Sequence, residues 1–146
     1  MNIGVDIDGT LANCDHRMGY IESKPKNWKA FFAAAKNDLP YPLVKLVKQL
    51  CAERNMIFLI TGRPEYLRED TEDWMYDQGV PYHALFMRPP NNFDPDYVVK
   101  RQLYHEQIIP EYGPLDLMFD DRSAVVSMWR DLGIYTLDCN QQLRPE

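Results

Sequence analysis

Ile3-Gly4-Val5-Asp6-Ile7-Asp8-Gly9-Thr10 is the stretch on which the fold turns. A brief apolar run ends in an acid, a second acid follows two residues later, and a glycine closes the run. This predicts a short buried strand over 3–7 that carries two carboxylates to its end. The same arrangement recurs further along. Met56-Ile57-Phe58-Leu59-Ile60 is unbroken apolar, the mark of a strand covered on both faces, and runs into a Thr61-Gly62-Arg63-Pro64 turn. Leu115 to Phe119 reads as a strand broken by Asp120-Asp121.

Between these strands the spacing predicts helices. One runs from about Pro64 to Gln78 and stops at Gly79. Others cover 43–54, where Leu43, Leu46, Val47 and Leu50 recur at helical spacing, 96–109, closed by Pro110, and 123–131, closed by Gly133. Short strands are expected at 84–87 and 134–137, with a loop at 88–95. Residues 11–26 show no period and read as loop. Residues 27–36 read as a helix capped by Asn27, with Trp28, Phe31, Phe32 and Ala35 on one face. The tail after Asp138 is polar and expected to be loose.

Strands alternating with helices predict an α/β fold: a parallel sheet of about five strands with helices on both faces, three layers in all. The 146 residues suit one domain spanning 1–146. Its one irregularity is the insertion after the first strand, residues 11–42, a candidate lid. The composition, 45% hydrophobic and 26% charged, is that of a globular protein. Cys14, Cys51 and Cys139 form no metal-type spacing and no disulfide frame, which points to a reducing, cytoplasmic setting. No leader is read at the start, and no apolar run approaches the roughly 20 residues of a membrane span. A net charge of −6 excludes non-specific attraction to nucleic acid, so such a substrate would need a local basic site. Lys24, Lys26 and Lys29 beside Trp28 form such a patch, with Tyr20 nearby. A solvated helix face is its plainer reading, and strand binding with stacking on Trp28 or Tyr20 the alternative.

In open α/β sheets, ligands bind beyond the carboxyl ends of the strands. Asp6, Asp120 and Asp121 therefore meet at one edge. Three crowded carboxylates repel one another, and a hard divalent cation such as magnesium resolves that. Asp6 is then placed to attack phosphorus, and Asp8 to give and take the proton. Thr61 offers a hydroxyl to a phosphate oxygen, and Lys100 a compact positive charge. Each piece alone is an ordinary turn or cap; their order and shared placement carry the reading. Arg122 is expected to cap or brace the Asp120-Asp121 turn. Met128 and Trp129 are expected in the core. His16, His83 and His105 read as structural, and Arg88 lies in a loop that either lines the mouth of the site or is plain connection.

These residues, Asp6-Ile7-Asp8-Gly9-Thr10, Thr61-Gly62-Arg63, Lys100 and Asp120-Asp121, resemble the four-motif signature of the haloacid dehalogenase (HAD) superfamily. The resemblance implies a nucleophile at Asp6 and an acid/base at Asp8. It implies Thr61 and Lys100 as stabilisers, with Mg2+ held by Asp6, the Asp8 carbonyl and Asp120, and with Asp121 close by. The stretch from Asp96 through Lys100 to Gly133 is similar to the 3′-phosphatase domain of phage polynucleotide kinase/phosphatase. Arg17, Arg63 and Asp96 fall where that family has functional residues, and Thr10 and Gly62 join them in substrate binding. That similarity implies a phosphorylated nucleic-acid end or a nucleotide as substrate. A phosphatase for free nucleoside monophosphates or another small ester is the alternative, and a non-catalytic protein of the same fold the last. No Gly-x-x-x-x-Gly-Lys-[Ser/Thr] loop occurs, so kinase activity is not expected. No membrane and no obligate protein partner are called for.

Overall fold

The computed structural model describes residues 1–141. Five strands, β1 (Asn2–Val5), β4 (Met56–Pro64), β5 (Ala84–Arg88), β6 (Leu117–Asp120) and β7 (Tyr135–Asp138), form one sheet in the order β5-β4-β1-β6-β7. Every pairing within it is parallel. The connecting helices are α3 (Leu43–Ala52), α4 (Arg68–Gln78), α5 (Asp96–Leu103), α6 (Ile109–Tyr112) and α7 (Ser123–Asp131).

The strands are apolar on both sides because both sides are covered. Along β4, Ile57 and Leu59 point into one core with Val44 and Val47 of α3 and Trp74 and Met75 of α4. Phe58 and Ile60 point into the other, with Val99 and Leu103 of α5 and Val125, Met128 and Trp129 of α7. The three-layer α/β arrangement read from the alternating pattern is therefore present, with helices on both faces.

The insertion leaves and returns through a two-stranded antiparallel ribbon, β2 (Ala12–Asn13) against β3 (Leu39–Pro40). Between them lie α1 (Gly19–Glu22), α2 (Trp28–Ala33) and two single 3-10 turns. The structure corrects the reading of 11–26 as loop. A two-residue strand whose partner lies 26 residues on, and a four-residue helix, are too short to show any period. The Asn27 cap holds as expected: its side chain accepts the Ala30 amide at 3.1 Å, a bond worth about 1 kcal/mol.

Three other boundaries differ from the sequence reading. Strand β4 continues through the Thr61–Pro64 turn to pair Pro64 with Arg88 after an irregularity, because Pro64 keeps an extended backbone (ψ 148°). Helix α4 accordingly starts at Arg68. Pro110 does not close its helix. A π turn over Tyr104–Ile108 intervenes, and Pro110 then sits in the first turn of α6, where its missing N–H costs nothing. Of the polar tail, residues 142–146 lie outside the described residues. Among the described residues no helix is long and apolar enough to cross a membrane.

Candidate active site

Strand β1 sits centrally with β4 and β6 beside it, so their carboxyl ends deliver residues far apart in sequence to one edge. Three groups assemble there.

The first contains Asp6, Thr10, Lys100, Asp120 and Asp121. The Asp6 amide donates to the Phe119 carbonyl (2.9 Å), which locks the end of β1 to β6. The Lys100 ammonium donates to Asp6 Oδ1 at 2.9 Å and to Asp120 Oδ2 at 2.8 Å. The Thr10 hydroxyl donates to Asp6 Oδ2 at 3.2 Å and lies 3.4 Å from Asp121 Oδ1. One carboxylate oxygen from each of Asp6, Asp120 and Asp121 lies within 4.8 Å of the others. Three negative charges and one positive leave two negative charges in a buried site. Burial, then repulsion from Asp120 and, more weakly, Asp121, pushes the Asp6 carboxyl well above its ordinary value, against the pull of Lys100. Burial would lower the Lys100 ammonium, but Asp120 and Asp6 overcome it and hold the group charged.

The second group surrounds Asp8. Its carboxylate accepts from Arg17 Nη2 at 2.6 Å and from Arg63 Nη2 at 2.6 Å and Nε at 3.1 Å. Burial would raise the Asp8 carboxyl, yet the charges and hydrogen bonds of Arg63 and Arg17 outweigh it and hold the group far below the usual carboxylate range. A quarter of the side chain still meets solvent. Arg17 is fully buried, and its other partner is Asp38, which accepts from Arg17 Nε (2.8 Å) and Nη2 (2.7 Å) and from His16 Nε2 (2.7 Å). Arg63 Nη2 is 3.7 Å from the same carboxylate, and its Nη1 donates to Thr71. Thr61, buried in β4, accepts the Arg63 amide on its hydroxyl (3.1 Å) and so shapes the turn that aims Arg63.

The third group surrounds Asp96 in the first turn of α5. Its carboxylate accepts from Arg88 and, at 2.8 Å, from Arg122 Nη1. It packs so closely on Gly62 that a Cβ there would lie 2.5 Å from Asp96 Oδ1. Gly9 plays the same part for the first group. It sits at φ +82°, and a Cβ would lie 2.0 Å from Asp121 Oδ2.

All eleven residues singled out in the sequence thus come to this edge: Asp6, Thr10, Lys100, Asp120 and Asp121 in one cluster, Asp8, Arg17, Thr61 and Arg63 in the next, Gly62 and Asp96 in the third. The structure brings further residues to this edge, of which the sequence points only to Arg88, as one reading of the site's mouth. Asp38 is a lone acid in a stretch without period. His16 bonds to it. Arg88, read from the sequence as part of a loop, ends β5 instead and reaches the Gly62 carbonyl (2.9 Å) and Asp96. Trp129 is buried as expected, but its indole also donates to Asp120 Oδ2 at 3.3 Å, as a buried indole requires a partner. Arg122 holds the cap position of α7, its carbonyl accepting the Val125 (3.0 Å) and Val126 (2.8 Å) amides, but its side chain does not brace the Asp120-Asp121 turn. Asp120 Oδ1 itself accepts the Asp121 amide (2.9 Å), and Arg122 reaches Asp96 instead.

The donor set is all oxygen, which suits a hard divalent cation such as magnesium. A single divalent charge would also balance the two negative charges of the first group. Burial pushes the Cys14 and Cys139 thiols up to about 12, so neither offers a thiolate to the site.

The family model of the polynucleotide kinase PNKP phosphatase domain matches residues 2–142. A protein of Autographa californica nuclear polyhedrosis virus named "Putative bifunctional polynucleotide kinase/RNA ligase" is 30% identical over 135 residues, covering 90% of this chain and 18% of its own length. The chain in the solved "Structure of Pnkp1/Rnl/Hen1 complex" is 29% identical with a TM-score of 0.80, over 95% of this chain and 45% of that one. A class C acid phosphatase from Bacillus anthracis, 12% identical with a TM-score of 0.69 over 99% of this chain and 68% of its own, shares the fold. The chain therefore spans less than half of the two more similar relatives. With strands, site acids and family model in agreement, the chain belongs to the PNKP phosphatase-domain family of HAD-type phosphatases.

Proposed function

We propose that this chain is a magnesium-dependent phosphomonoesterase that removes phosphate from the 3′ end of a polynucleotide or nucleotide through an aspartyl-phosphate on Asp6. The observation that carries the proposal is the buried Asp6 carboxylate, held by Lys100 and Thr10 and set against Asp120 and Asp121. Asp6, Asp120 and the Asp8 backbone carbonyl would hold the metal, with Asp121 beside it. When bound, it supplies positive charge that keeps Asp6 ionised and offsets the charge of the phosphate.

In the first half, an Asp6 oxygen bonds to phosphorus as the ester P–O bond breaks, and Asp8 gives its proton to the leaving oxygen. In the second, water attacks the acyl-phosphate, Asp8 takes the water proton, and phosphate leaves with Asp6 restored. Asp8 as it stands, ionised between two arginines, suits the second half. For the first half it has to gain a proton. An arriving phosphate competes for the Arg17 and Arg63 guanidiniums, and as they turn to it Asp8 loses the charges that hold its proton off. Asp96 acts through Arg122 and Arg88 rather than on the anionic substrate directly. The 11–42 insertion, which brings Arg17 and Asp38 to the site, serves as its lid.

The deciding experiment measures phosphate release from a 3′-phosphorylated oligonucleotide, its 5′-phosphorylated counterpart and a 3′-mononucleotide, with and without magnesium, using Asp6→Asn as the blank. Preference for the 3′ ends supports the proposal. Equal turnover of 5′ and 3′ ends, or activity in Asp6→Asn, removes it.

A further inference from the structure

The insertion differs in charge from the rest of the chain. Residues 11–42 contain five Lys or Arg against three Asp or Glu, +2 in a chain of −6. Lys24, Lys26, Lys29 and Lys36 are exposed, and no ion pair among the described residues uses them. Among these lysines lies an aromatic surface. Trp28 is stacked on Phe32 (5.8 Å between centroids, 26° between planes), and Phe32 meets Tyr66 edge-on at 6.5 Å. Lys26 Nζ sits 5.6 Å from the Trp28 ring centre. Phe32 is half-buried and packs against the core beside α3 and α4, while Trp28 is 46% and Tyr66 75% exposed.

This surface is joined to the site by a short path. Phe31, buried beneath it, contacts Trp28 edge-on at 5.7 Å and lies 4.3 Å under the Arg17 guanidinium, whose Nη2 holds Asp8. Tyr66 follows Arg63 by three residues. Exposed rings interleaved with unpaired lysines, next to a phosphate-handling edge, are complementary to one kind of ligand: a single strand whose backbone is anionic and whose bases have flat faces.

We propose that Trp28 and Tyr66, flanked by Lys24, Lys26 and Lys29, form a stacking platform for the bases of a single-stranded nucleic acid whose terminal phosphate lies at Asp6. The proposal rests on the reading of the site as a phosphatase of nucleic-acid ends, and it commits that site to strands over mononucleotides.

Two measurements test it. The first compares KM for 3′-phosphorylated oligonucleotides of increasing length with KM for a 3′-mononucleotide. In the unaltered chain the oligonucleotide KM is the lower. Trp28→Ala and Tyr66→Ala each raise the oligonucleotide KM relative to the mononucleotide KM by roughly five- to hundredfold, while Tyr76→Ala, exposed on α4, is the control. Tyr66 is too exposed for its loss to unfold the chain, so that arm stands even if Trp28→Ala does not fold. An equal shift for both substrates overturns the platform. The second measurement needs no turnover. Trp74 and Trp129 are buried, so an oligonucleotide ending in a 3′-hydroxyl quenches the Trp28 fluorescence at low salt, and Lys26→Ala with Lys29→Ala lowers the salt slope by about 0.7 per lysine. Absence of quenching overturns the proposal, including the case in which this surface binds a protein instead. If no ester is turned over but quenching occurs, the phosphatase reading fails and the platform stands.

Discussion

Replacing Asp38 with asparagine removes one of two carboxylates that face two buried guanidiniums. Asp8 and Asp38 balance Arg17 and Arg63, and the side chains of Asp38 and Arg17 are both fully buried. The amide keeps the shape and one acceptor but leaves a positive charge uncompensated. Breaking a buried pair typically costs 3–5 kcal/mol; because Arg17 retains Asp8, the low end, about 3 kcal/mol, applies. Unfolding entropy is about 2.1 cal/mol/K per residue, so over this chain each kcal/mol shifts Tm by about 3 °C and Asp38→Asn lowers it by about 10 °C. The assay is thermal unfolding followed by circular dichroism, on Asp38→Asn, Arg17→Met and the double variant. The double variant loses less than the sum of the singles, because removing both charges leaves neither stranded. Turnover falls in Asp38→Asn but less than in Arg17→Ala, since Asp38 acts on Asp8 only through Arg17, which stays in place and keeps its own bond to Asp8. A Tm drop under about 3 °C, or strict additivity, refutes the idea that Asp38 carries a buried ion pair.

Gly9→Ala places a methyl group against Asp121 Oδ2 at a positive φ. The magnesium concentration for half-maximal phosphate release rises several-fold, and an unchanged titration removes Asp121 from the metal site. Magnesium raises the Tm of the unaltered chain, by about 9 °C at a hundred times its Kd; Asp120→Asn loses that increment, and a flat response in the unaltered chain rules out the acidic cluster as its site. Asp8 has a depressed carboxyl, so its stabilisation is present above the ordinary carboxylate value, about 3.9, and drains away as pH falls below it. An acid titration of unfolding is therefore steeper below about pH 4 in the unaltered chain than in Asp8→Asn; parallel curves dismiss the two-arginine clamp as a source of stability.

The strand-end acids were legible because a charged residue straight after a fully apolar run has few structural explanations. That logic found Asp6, Asp120 and Asp121 and, through the parallel order of the strands, their meeting point. It could not find Asp38, whose importance arises only when β2 pairs with β3 and brings it beneath Arg17. Arg122 shows the same limit: proximity in sequence suggested the Asp120-Asp121 turn, but the side chain spans to another helix. Trp129 was correctly read as core, while its indole hydrogen bond to Asp120 depends on the facing of α7 against β6. Pro110 misled for a local reason. A proline ends a helix that stays in one register, and here a wider turn shifts the register just before it.

The sheet order has a consequence for how the molecule comes into being. Asn2 pairs with Met56, and Ile3 with both Ile57 and Leu117. Contacts of such sequence separation form slowly, because a long loop must close before any reward is collected. A chain emerging from the ribosome presents Asp6 long before its partners. That carboxylate has no lysine and no fellow acids until roughly a hundred further residues have been made and threaded beside it. On the mechanism proposed above, half-made chains are chemically silent, and the appearance of activity in a refolding mixture serves as a clock for the arrival of β6.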